Sequence, residues 1–245
     1  MIKYDNVNKQ FDKFKVLKNI NLHFKEGNII ALIGPNASGK TTLIKTLLGM
    51  VIPNSGEITF LGTSIKGNWE YRTHIGYMPQ IGRYPENMNV GQVLEMIRDL
   101  RDKTSQKLDN ELYDSFDLRS ILHQRMGTLS GGTRQKVSAY LAFLFDPKVL
   151  ILDEPTAGLD PVSSLILKEK IVKEKNKGKL ILITSHILSE LDDIVNQIVY
   201  MEEGQILFDK TLEQLKADTN KTKLMDAIAH VMNSEQRKYK YEETN

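Results

Sequence analysis

The chain has 245 residues, 40% of them hydrophobic and 26% charged, a balance that excludes a wholly disordered or fibrous protein. Its 33 Lys and Arg against 31 Asp and Glu leave a formal charge of +2, too small to imply nucleic-acid or anionic-membrane binding by charge alone. Cysteine is absent, which excludes disulfides and thiolate metal sites. The charged start MIKYDNVNKQ is not expected to act as a secretory leader, and no apolar run approaches the ~18 residues of a membrane span. Any membrane role is therefore expected to work through a partner.

In chain order, Ile20, Leu22 and Phe24 alternate with Asn21 and His23, which predicts an antiparallel strand with one wet face. Asn28–Ile33 is an apolar strand ending at Gly34. Leu43, Ile44, Leu47 and Leu48 then share one helical face, with stop signals at Gly49 and Pro53. Glu57–Leu61 reads as another one-faced strand. From about Pro85 to Leu122 the strand signal vanishes. Val90, Val93, Leu94 and Ile97, then Leu108, Leu112 and Phe116, follow helical spacing and predict a helical insertion. Val149–Leu152 and Leu180–Thr184 are continuous apolar runs, as expected of parallel strands covered on both faces. Ile198–Met201 and Gln205–Phe208 flank Glu202-Glu203-Gly204, a predicted hairpin. Thr211-Leu212-Glu213-Gln214 is a capping-box pattern. Leu224, Ile228, Val231 and Met232 predict a further helix, and the polar stretch from about Asn233 is expected to fray.

Gly34-Pro35-Asn36-Ala37-Ser38-Gly39-Lys40-Thr41 fits G-x-x-x-x-G-K-[ST], with a strand before it and a helix after it. In such a loop the backbone N–H groups converge on phosphate oxygens, backed by the positive end of the following helix. Gly34 and Gly39 allow the tight path. Lys40 supplies a point charge for the terminal phosphates, and the Thr41 hydroxyl is a hard oxygen ligand for Mg²⁺.

Val149–Leu152 runs into Asp153 and Glu154. A carboxylate at a buried strand end beside such a loop is placed to join the Mg²⁺ shell, which assigns Asp153. Glu154, pointing elsewhere, is placed to align and deprotonate an attacking water. Gln80 closes the stretch Ile75–Gln80, and its amide oxygen can join the Mg²⁺ shell. His186 follows Leu180–Thr184 and can contact the terminal phosphate. A lone Gln is usually solvated and a lone His usually structural, so spacing alone assigns neither. Leu129-Ser130-Gly131-Gly132-Thr133 opens a second helix, with Ser130 as its expected N-cap and glycines that leave amides open to an anion. Two phosphate-ready helix ends in one chain make sense if the chain dimerises.

Together these motifs resemble those of ATP-binding-cassette (ABC) ATPases, the nucleotide-binding subunits of ABC transporters. The resemblance covers about residues 1–218, with the helical insertion at about 83–135. Residues 219–245 are left as a short helical extension and frayed tail. It implies an α/β P-loop NTPase fold: a mainly parallel core sheet, an N-terminal antiparallel β subdomain and an inserted α-helical subdomain. Gly34–Thr41 matches the Walker A loop, whose residues with Thr42 hold ATP. Gln80 matches the Q-loop, Leu129–Thr133 the signature, Val149–Asp153 the Walker B strand, and Glu154 the catalytic glutamate. Ala157–Asp160 matches the D-loop and His186 the H-loop. Phe11 matches the residue that stacks on adenine. By resemblance, Thr41, Gln80 and Asp153 bind Mg²⁺, while Lys40, Gln80, Glu154 and His186 serve hydrolysis. Two cassettes sandwich ATP head to tail, so Ser130, Gly131, Gly132 and Asp160 are expected to complete the partner's site.

Three positions depart from the commoner family pattern. Thr133 stands where Gln is frequent. Ala37 replaces a frequent Gly and is expected to resist positive φ. Phe11 replaces Tyr but keeps the stacking face. The resemblance implies a separate membrane permease, coupled through a groove beside Gln80 to which Ile81–Glu86 contributes, and a place on the cytoplasmic face of the membrane. The compact form is similar to exporter cassettes. Leu129–Pro147 also resembles, more weakly, cassettes of copper processing for nitrous oxide reductase maturation. The alternative is an ABC ATPase acting on nucleic acid or ribosomes. The near-neutral charge and the lack of a coiled-coil insertion or second cassette speak against it, so no direct nucleic-acid contact is expected.

Overall fold

Residues 1–101, 108–185 and 187–232 are described by the computed structural model. The chain opens with an antiparallel pair, β1 (Ile2–Phe11) and β2 (Phe14–Phe24). Ile20, Leu22 and Phe24 are buried and Asn21 and His23 exposed, which is the one-faced alternation that the sequence predicts. β3 (Ile29–Ile33) is buried on both faces and leads through the glycine-rich loop into α1 (Lys40–Leu47). Gly49, at φ 67°, turns the chain out of that helix. β4 (Ser55–Phe60) and the short β5 (Thr63–Ser64) complete a four-stranded antiparallel sheet in the order β2-β1-β4-β5.

β6 (Ile75–Met78) then enters a second sheet. Helices follow: α2 (Val90–Asp99), α3 (Glu111–Ser115) and α4 (Gly131–Phe143). α2 is held by a capping box between Asn89 and Gln92 and buries Val90, Val93 and Leu94. The helical spacing from Leu108 to Phe116 yields only the five residues of α3, because Asp117 takes φ 47° and ends it. The remaining strands and helices complete the core: β7 (Val149–Asp153) with α5 (Pro161–Asn176), β8 (Leu180–Thr184), and the hairpin of β9 (Gln197–Glu202) and β10 (Gln205–Thr211) before α6 (Leu212–Thr219). Glu203 and Gly204 both have positive φ, 46° and 80°, as a two-residue turn between twisted strands requires. Thr211 and Gln214 form the predicted capping box of α6. Residues 224–232 are helical, and Leu224 and Ile228 are buried. The tail expected to fray, from Asn233, lies outside the described residues.

The second sheet has the order β10-β9-β3-β8-β7-β6, parallel throughout except for β10. Its strands feed two cores. Ile30, Leu32, Ile151 and Leu182 face α1 and the antiparallel sheet. Ala31, Leu150, Leu152 and Ile183 face α4, α5 and the inserted helices. A buried ion network ties the insertion to α5. Lys170 Nζ, 1% exposed, bridges Asp109 at 2.5 Å, Glu174 at 2.8 Å and Glu111 at 2.9 Å. Lys179 bridges Glu174 and Asp146.

Candidate functional site

Parallel strands bring distant segments to one sheet edge. Leu32 pairs with Thr184, Asp153 with Thr184, and Met78 with Leu152. The loop after β3, the carboxylates ending β7, Gln80 just past β6 and Ser185 just past β8 therefore meet at the carboxyl ends of the strands. His186 itself lies outside the described residues.

The Gly34–Thr41 loop is shaped by close backbone approach. A Cβ on Gly34, at φ 151°, would stand 2.0 Å from the Met201 carbonyl oxygen. One on Gly39, at φ 107°, would stand 2.8 Å from the Val16 carbonyl oxygen. Gly204 N–H donates to the Ser38 carbonyl at 3.0 Å, so the β9–β10 turn holds the loop from outside. Ala37 does take positive φ, 64°, against the expectation that its Cβ would resist it. The neighbouring contacts over-determine the path, and one methyl group does not prevent it. Gly39 is the N-cap of α1 and offers no side-chain cap, and the first turn carries no acid. The open amides and positive helix end suit an anion.

Lys40 Nζ lies over the loop, 2.7 Å from the Gly34 carbonyl oxygen and 2.9 Å from that of Pro35. Burial lowers its pKa, opposed by the charges of Glu154 and Asp153. Cation and carboxylates thus share one electrostatic environment. Asp153 is buried and accepts a hydrogen bond from Thr184 Oγ1. Thr41 and Gln80 are exposed, and Thr42 and Lys40 are half-buried. The hydroxyl of Thr41, the amide oxygen of Gln80 and the carboxylate of Asp153 are hard oxygen donors, the set that Mg²⁺ takes. The glycine-shaped cradle and this donor chemistry fit a magnesium-bound nucleotide. Phe11, 45% exposed, stands at the β1–β2 turn with Lys9 Nζ 4.7 Å above its ring. A flat apolar face at that place suits a nucleobase.

Ser130 caps α4 as expected, accepting from Thr133 N–H at 3.2 Å. Thr133 also places its hydroxyl 2.8 Å from Ser130 Oγ. Gly132 packs on the D-loop: a Cβ there would be 2.5 Å from the Gly158 carbonyl oxygen. Asp160 caps α5 through Ser163 and pairs with Lys136 at 2.9 Å. The Ser163 hydroxyl and amide and the Lys136 ammonium hold its carboxyl well below the usual range. Sequence reasoning missed two polar groups at this edge. Thr184 was visible only as a hydroxyl ending an apolar strand. Gln135 was visible only as an amide between the charged Arg134 and Lys136 of α4. Asp109, Asp146 and Glu174 also converge, but the ammonium groups of Lys170 and Lys179 bridge them, which leaves no reason to assign a metal there.

The sequence profile of the ABC transporter family matches residues 17–157. The lantibiotic transport ATP-binding protein SrtF of Streptococcus pyogenes is 33% identical over 212 residues, covering 86% of this chain and 90% of that protein. The Nod factor export ATP-binding protein I of Burkholderia pseudomallei is 31% identical over 208 residues, covering 83% of this chain and 68% of that protein. Neither name concerns copper. A solved ATP-binding subunit of an ABC transporter superposes with a TM-score of 0.87 at 26% identity, covering 95% of this chain and 99% of that one. With its P-loop on this fold, the chain belongs to the ABC transporter family as an ATP-binding subunit with ATPase activity.

Proposed function

We propose that the chain hydrolyses Mg-ATP at two composite sites of a head-to-tail dimer and so drives export through a separate permease. The observation that carries this reading is the pair of anion-ready helix ends on different elements. α1 starts at the glycine-shaped cradle, and α4 starts at Ser130 in the inserted helical region. In the dimer, the second end of one chain closes the first end of the other. Among the described residues no helix is long and apolar enough to cross a membrane, and the reading assigns the crossing to another chain. A groove of about 740 Å³ beside Gln80, lined by Tyr77, Gly82, Arg83, Tyr84 and Arg101, is the proposed docking place. The export direction is supported by the Nod factor relative.

Each residue has a definite task. The backbone N–H groups of the Gly34–Gly39 loop, Pro35 excepted because it has none, and the Lys40 ammonium hold the phosphate oxygens, and Phe11 stacks on the base. Thr41, Gln80 and Asp153 would hold Mg²⁺, which neutralises phosphate charge. Thr184 fixes the Asp153 carboxylate. Glu154 orients a water and takes its proton as the water oxygen bonds to the terminal phosphorus and the bond to the ADP oxygen breaks. His186 and the partner's signature turn close the site around the terminal phosphate.

Glu154→Gln is the decisive variant. Its amide cannot accept the proton, while the cradle stays intact. ATPase turnover should fall by about 100-fold or more. ATP binding should persist, and a dimer should accumulate with Mg-ATP on size exclusion. Turnover near that of the unaltered chain would remove Glu154 from the base role.

A further inference from the structure

We propose that Gln135 is a positioning residue for the hydrolytic carboxylate: from the signature helix it holds the peptide of Glu154 and sets the aim of its side chain. Glu154 has φ 53°, a left-handed backbone that few residues other than glycine adopt without support. Support comes from two sides. Its N–H donates to the Thr184 carbonyl oxygen at 3.1 Å and to Thr184 Oγ1 at 3.2 Å. Its carbonyl oxygen accepts from Gln135 Nε2 at 3.1 Å, and the same nitrogen reaches the Pro155 carbonyl oxygen at 3.5 Å. Gln135 is 5% exposed, so water is a poor substitute for its amide. One side of the clamp is a core strand. The other is α4, whose first residue follows the Ser130 cap.

Further contacts bind the same helix to the same segment. Gly132 lies against the Gly158 carbonyl, and Lys136 pairs with Asp160. The first turns of α4 and residues 154–160 are therefore joined at three points. The inference rests on the composite-site reading, in which Glu154 serves the chain's own nucleotide while Ser130 and Gly132 meet the partner's. A nucleotide engaged by the signature turn then steers the base of the other site through Gln135. This is a coupling free energy between two sites, carried by a named hydrogen bond.

Gln135→Met removes the donor at nearly constant volume, and Gln135→His returns an N–H at similar reach. The readouts are steady-state ATPase, equilibrium binding of a fluorescent ATP analogue with Mg²⁺, and thermal melting. For Gln135→Met, kcat should fall about 10- to 100-fold, as for a misplaced catalytic group, with analogue affinity within about twofold. The Hill coefficient for ATP should drop towards one, and Gln135→His should recover most of both losses. Unchanged kcat and Hill coefficient would overturn the proposal. So would a loss of kcat matched by equal loss of affinity and melting temperature, since that marks a merely structural role. Glu154→Gln, measured alongside, separates the two levels. If it is inactive and traps the dimer while Gln135→Met is normal, only the positioning role fails. If it turns over normally, the underlying site reading fails first.

Discussion

Ala37 carries φ 64° in the middle of the phosphate loop, where the Cβ of an L residue crowds the following carbonyl. That conformation costs roughly 1–2 kcal/mol relative to glycine. Glycine in turn loosens the unfolded chain, at about 0.4–1 kcal/mol. The first effect is the larger, so Ala37→Gly should raise stability by up to about 1.6 kcal/mol, read from urea midpoints, with Mg-ATP binding retained. A clear destabilisation would mean that the Ala37 methyl packs favourably enough to offset its strain. The phosphate loop was legible in the sequence because its chemistry is local: glycines, lysine and hydroxyl lie within eight positions. The left-handed Ala37 was not, because the contacts imposing the loop path come from Met201, Val16 and Gly204. Gln135 was hidden for the same reason, since its partner carbonyl lies nineteen positions further along the chain.

At the scale of elements, the insertion is fastened to the core through α5. Lys170 lies between Asp109, Glu111 and Glu174, and Glu174 is also reached by Lys177 and Lys179. Burial works against the Glu174 charge, but the hydrogen bonds from Lys170, Lys177 and Lys179 prevail and hold its pKa below the ordinary 4.5. A depressed carboxyl pKa stabilises the fold above the unfolded value, and that contribution fades as pH falls below it. Lys170→Met leaves buried carboxylates without their shared cation, which costs roughly 3–5 kcal/mol. Urea unfolding at pH 7 should show most of that loss. As pH falls below about 4.5, the unaltered chain should lose stability faster than the variant, because it has the carboxylate–ammonium pairs to lose. Parallel slopes across that range would show that the network contributes no pH-dependent stability. Apolar periodicity predicted strands such as β3, β7 and β8 and the helix α2, since burial on one or two faces writes itself into spacing, but not α5, whose buried positions include Ser163, Lys170 and Glu174. Periodicity carried no trace of this network, because the pairs that cross elements, Lys170 with Asp109 and Glu111, span about sixty positions, while the local Lys170–Glu174 and Glu174–Lys177 pairs look like ordinary surface charges.

For the whole molecule, the composite-site reading makes a claim that no single chain can test. Lys40→Ala breaks the cradle, and Ser130→Arg removes the α4 cap and fills the signature turn with bulk. Each homodimer should be inactive, because both of its sites contain one broken half. In a mixed dimer, one site carries both lesions and the other carries neither. Random mixing makes about half the dimers mixed, so independent sites would restore roughly a quarter of the unaltered ATPase. Strict coupling between sites, of the kind Gln135 is proposed to carry, would pull that figure towards zero. A covalently tandem dimer with both lesions in one half resolves the matter. There the head-to-tail arrangement gives every site one lesion, and ATPase should be absent. Half the unaltered activity in that tandem would mean that each chain completes its own site, and the head-to-tail dimer would be refuted.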